Sequence, residues 1–87
     1  MTLHFPNISR NYDSTRHCIC FWGHDSAKEV SFHLDEGALH HISRFADRDE
    51  ASLLHVFDVN RGRIEAAASA AYLKQRKSFY RLSASDL

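Results

Sequence analysis

The residue order predicts an α+β domain of two layers. An antiparallel sheet, in the order β-β-α-α-β behind an extended N-terminal arm, carries helices on one face. Three patterns lead there. Two runs of alternating apolar and polar residues flank a Gly- and Asp-containing stretch at 23–26. Apolar residues then recur at helical spacing between Leu39 and Ala71. A short alternating run returns at 78–83. The 87 residues suit one domain, 1–87, with one modest core. A content of 44% hydrophobic and 25% charged residues is that of a globular chain, not a disordered one.

Residues 1–14 hold Pro6, two Asn and Asp13 with no sustained period, and predict an arm that ends in a turn near 11–14. Phe5, Ile8 and Tyr12 would pin it to the domain. Over 15–34 the alternation gives a β-hairpin. Ile19, Phe21, Val30, Phe32 and Leu34 face inward, while Arg16, Cys18, Cys20 and Trp22 lie against Glu29, Ser31 and His33 on the other face. Asp35 offers an N-cap to a short helix over 35–46, in which Leu39, Ile42 and Phe45 share a face. Asp47 and Glu50 have the spacing of a capping box. Leu53, Phe57, Ile64, Ala67 and Ala71 then predict one long helix within 47–76, about 40 Å in length. Its alanine-rich end suits close packing on a sheet or on another helix. The last strand is 78–83, with Tyr80 and Leu82 inward.

Equal numbers of basic and acidic residues, eleven each, argue against an obligate nucleic-acid binder. The charge is nevertheless uneven. Residues 1–60 carry five basic and nine acidic side chains, whereas 61–87 carry six and two. No apolar stretch is long enough to span a bilayer, and the N-terminus lacks the basic and apolar regions of a secretion signal. Two cysteines, two residues apart in an extended run, make an awkward disulfide. Free thiols in a chain without a signal point to the cytoplasm.

With these elements placed, the chain resembles the short bacterial proteins grouped as domain of unknown function 1488. The features are Phe5-Pro6-Asn7, the Tyr12-Asp13 turn, Cys18-Ile19-Cys20-Phe21, Leu39, and Phe57 with Arg61, Ile64-Glu65 and Ala68. The resemblance implies a small, stand-alone bacterial cytoplasmic protein with an α+β fold. It supplies no activity, cofactor or catalytic residue.

Four kinds of chemistry bear on these residues. Cys18, Cys20 and His33 share the outer hairpin face, and thiolates with imidazole suit zinc. However, the Cys-x-Cys has no second pair, and scattered histidines are the commoner reading, so no cofactor is predicted. Catalysis lacks a recognisable motif, and a chain this short has little volume for the roughly 300 Å³ or more that a small-molecule pocket takes. Arg61, Lys74, Arg76, Lys77 and Arg81, interleaved with Tyr72, Phe79 and Tyr80, form the nucleic-acid alternative. The leading expectation is a non-catalytic protein-interaction module or homodimer. Its anchors are Trp22, Arg16 and His33, on a sheet face that helices leave open.

Overall fold

The computed structural model describes residues 3–45 and 47–87. Its centre is the hairpin β2 (Cys18–Asp25) and β3 (Lys28–Asp35), paired antiparallel from Cys18↔Asp35 to Asp25↔Lys28. Two residues close it, and Ser26 takes a left-handed φ of 56°. The loop is therefore tighter than the stretch at 23–26 suggested, because Ser26-Ala27 lacks the glycine that usually marks such a turn.

The arm contributes more than a tether. Its residues Arg10–Asp13 form β1, antiparallel to β2 with Arg10 opposite Phe21 and Asp13 opposite Cys18. The turn falls later than predicted, at 14–17, where the Asp13 carboxylate accepts the backbone N–H groups of Thr15 and Arg16 at 3.0 and 3.1 Å. That is the local bonding by which Asp initiates turns. Upstream, His4 and His24 exchange two backbone hydrogen bonds of 2.8 and 2.7 Å. The outer edge of β2 is thus covered at both ends.

Three helices follow: α1 (Glu36–Ile42), α2 (Glu50–Val59) and α3 (Arg61–Lys74). Four expectations fail at this point. The first helix stops at Ile42, so Phe45 lies beyond it and is 99% exposed. The single long helix is two helices, interrupted at Asn60. There the side-chain amide donates to the Val56 carbonyl at 2.9 Å, competing with the backbone ladder one residue before Arg61 and Gly62. The N-cap of α2 is Asp49, not Asp47; its carboxylate accepts the Ser52 N–H at 3.1 Å. In α3 the buried stripe is Ile64, Ala68 and Tyr72, rotated by one residue from the predicted Ala67 and Ala71.

The last strand, β4 (Phe79–Leu82), joins β3 in parallel, and a 3-10 turn over Ala84–Asp86 ends the chain. The sheet is therefore mixed and four-stranded, ordered β1-β2-β3-β4, where a wholly antiparallel one was expected. Alternation shows which residues face inward but carries no strand direction. Direction follows from the helical crossover, which returns the chain to the end of the sheet where β3 began.

One face of this sheet holds the core. Ile19, Phe21, Val30, Phe32 and Leu34 meet Leu39 of α1, Leu53 and Phe57 of α2, and Ile64 and Ala68 of α3. Phe21 and Phe32 stack at 5.2 Å, with Phe57 against the first and Tyr80 against the second. The arm closes on this same side: Phe5 lies 6.1 and 6.0 Å from the rings of Phe21 and Phe32. Among the described residues no helix is long and apolar enough to cross a membrane.

Candidate functional site

Residues opposite one another in a ladder share a face of the sheet, so the register defines the surface away from the core. Its first row is Asp13, Cys18 and Asp35; its second is Asn11, Cys20, His33 and Arg81. Trp22, Ser31 and Phe79 form the third row, and His24 with Glu29 the fourth. Trp22 is half-buried and Phe79 is 48% exposed. The aromatic residues of the arm, Phe5 and Tyr12, belong to the core side and do not cover Trp22.

The three anchors named from sequence occupy this surface or its rim. Trp22 sits near the middle. Arg16, in the turn before β2, pairs with Asp13 at 3.1 Å. His33 packs its ring edge-on against Phe79, with centroids 4.7 Å apart. Sequence reasoning missed Phe79, Asp13 and Asp35 as members of this face. The alternation of Phe79 and Arg81 with inward Tyr80 and Leu82 marked the first as outward, but only the parallel pairing with β3 sets it beside Ser31. Arg81 reaches Asp35 at 2.6 Å, so two ion pairs flank the row that holds Cys18.

That row and the next bring Cys18, Cys20 and His33 together. Their sulfur and ring-nitrogen atoms lie within 4.8 Å of one another. Cys18 is fully buried and Cys20 half-buried, both as free thiols. Burial, followed by the neighbouring Cys20, pushes the Cys18 thiol up to about 11. It is therefore protonated at neutral pH, unlike an activated nucleophile. Burial, reinforced by Arg16 and Arg81, holds the His33 imidazole below its ordinary range, which leaves it neutral at pH 7. Its Nδ1 is buried without a hydrogen-bond partner among the described residues.

The basic residues of the nucleic-acid alternative divide. Lys74, Lys77 and Arg81 border one cavity of about 300 Å³ beside the alanines of α3. Arg61 is elsewhere: it donates to Glu65 at 3.2 Å and to the Ile8 carbonyl at 2.6 Å, over the ring of Phe57. Arg76 lies over the Tyr72 ring at 5.8 Å. Two of the three interleaved aromatics are core residues. Tyr72 is 2% exposed and donates to Asp25 at 2.5 Å, while Tyr80 is 8% exposed and donates to the Gln75 carbonyl. Of the three, only Phe79 is exposed, and its ring already meets His33.

No curated protein matches the chain. The fold is shared with the crystal structure of a protein of unknown function from the DUF1488 family of Shewanella loihica PV-4. The two superpose with a TM-score of 0.79 at 15% identity, over 93% of this chain and 91% of that one. The family model described as "Protein of unknown function (DUF1488)" matches residues 3–83. The chain belongs to the DUF1488 family.

Proposed function

We propose that this protein is a non-catalytic interaction module that pairs with a second copy of itself through the uncovered face of its sheet. The observation that carries this reading is the Trp22–Ser31–Phe79 row: two large aromatic side chains, partly exposed, on a face to which, among the described residues, no helix or arm residue of the core belongs. Partly exposed aromatics flanked by charge are typical anchors of protein interfaces.

A second copy fits the charge better than an anionic partner does. Arg16 and Arg81 stand at one end of the face, already paired with Asp13 and Asp35, and Glu29 stands at the other. With the charge of those arginines already offset inside the chain, less of it is left for an anionic partner. The chain as a whole has no net charge to oppose association. The protonated, buried Cys18 supports a role without nucleophilic chemistry, and the two free thiols suit a reducing, cytoplasmic setting.

Sedimentation equilibrium on the untagged protein tests the reading. The expected result is a concentration-dependent mass rising to twice that of the chain. Trp22→Ala combined with Phe79→Ser should weaken association by roughly 30-fold or more, the loss typical of a central aromatic anchor. Unchanged far-ultraviolet circular dichroism would show that the double variant still folds. A monomer at every concentration overturns the proposal, as does a dimer indifferent to both substitutions. Salt-sensitive binding of single-stranded nucleic acid by a monomer, abolished by replacing Lys74 and Lys77, would move the function to the basic cavity.

A further inference from the structure

We infer that Cys18, Cys20 and His33 form a binding site for one thiophilic metal ion, with zinc as the best-fitting divalent cation. The site stands on three observations independent of self-association. Alternation along β2 places both sulfurs on one face, and the antiparallel register sets His33 directly opposite Cys20. The three ligand atoms already converge within 4.8 Å. A tetrahedral zinc with bonds of about 2.3 Å to sulfur and 2.0–2.1 Å to nitrogen needs ligand separations of about 3.5–3.8 Å. Side-chain rotation of roughly an ångström closes that difference, with both strands held by a continuous ladder. Lastly, the Nδ1 atom of His33 is buried without a hydrogen-bond partner among the described residues, an arrangement that ordinarily calls for an explanation.

Two thiolates and a neutral imidazole give a site of charge minus two, which a divalent cation neutralises. Binding therefore displaces one proton from each thiol to the solvent. The Cys₂His set supplies three ligands, and the fourth position falls to water. Hard cations such as magnesium and calcium prefer oxygen donors and are excluded by the sulfurs. Among the described residues this is the one group of three or more metal-ligating side chains that converges.

The test uses the full chain, reduced with a phosphine, and cobalt(II) as a spectroscopic probe followed by zinc titration against a chromophoric chelator. The expected results are a thiolate-to-cobalt charge-transfer band, one ion per chain, and a melting temperature raised by zinc. Cys20→Ser and His33→Gln, both at half-buried positions, should each lower zinc affinity by more than about 100-fold, beyond the usual cost of losing an outer-shell partner. Their unchanged circular dichroism controls for folding, which the fully buried Cys18 makes an unsafe first variant. Absence of the charge-transfer band overturns the inference. So does zinc binding that survives both substitutions, or that disappears instead when His40 and His41 are replaced. Because the readout is metal per chain, it is decided separately from the oligomeric state.

Discussion

Single side chains tie together parts of the chain that are far apart in sequence. Arg10 of β1 donates twice to Asp58 of α2, at 2.9 and 2.8 Å, and this holds the Asp58 carboxyl below the usual carboxylate range. A depressed folded pKa adds stability in full above the unfolded value, near 4, which is lost as pH falls through the folded one. Both partners are partly exposed, so the contribution stays below about 1 kcal/mol. Asp58→Asn should accordingly lower the urea midpoint slightly at pH 7 and by progressively less below pH 4, measured as paired denaturation curves. Two phenylalanines expected inward from sequence part company in the same way. Phe57 is fully buried and Phe45 is 99% exposed. Phe57→Ala should cost about 3–5 kcal/mol, while Phe45→Ala should change stability by less than about 0.5 kcal/mol. Chemical denaturation of the two variants distinguishes them directly.

Among the strands and helices, two glycines have opposite roles. Gly23 lies on the core side of β2 beneath the arm. A Cβ there would meet Phe5 Cε2 at 2.9 Å and Leu3 at 3.1 Å. Gly23→Ala should displace the arm at a cost of about 1–3 kcal/mol, seen as faster amide exchange at the His4–His24 bridge. Gly62, in the first turn of α3, has open space where a Cβ would stand, with nothing within 4 Å, and no left-handed φ. Gly62→Ala should therefore raise stability by about 0.4–1 kcal/mol through the unfolded chain. The break between α2 and α3 remains in that variant, because Asn60 and its bond to Val56 are untouched.

Among the described residues, the core helices and the arm's Leu3, Phe5 and Tyr12 lie on one side of the four-stranded sheet. The longest dimension is 37 Å against 23 and 22 Å, and the 14-residue α3 is only about 21 Å long, roughly half the length expected of one continuous helix. A homodimer through the uncovered face would couple folding to concentration, and the melting temperature should rise with protein concentration in the native chain. The Trp22→Ala, Phe79→Ser variant should lose that dependence in a calorimetric dilution series.

Period-two alternation is a local property of extended chain, so the order of residues was enough to show which side chains are inward on the hairpin and on the last strand. For the same reason it was enough to place Trp22, Cys20 and His33 on one outer face. The residue order also marked the start of α1 at Asp35, although the Asp35 carboxylate makes no capping bond and pairs with Arg81 instead. Other features exist only in the folded molecule. Arg10–Asp13 has too few residues for its pattern to signal a strand, and becomes one only by pairing with β2. The α2–α3 break rests on one amide choosing a carbonyl over solvent, within a stretch whose apolar spacing reads as continuous. The direction of β4 depends on how three helices cross the sheet, and that direction brings Phe79 beside Ser31 and Arg81 beside His33. Periodicity states which way a side chain faces; only packing between distant segments states what stands next to it.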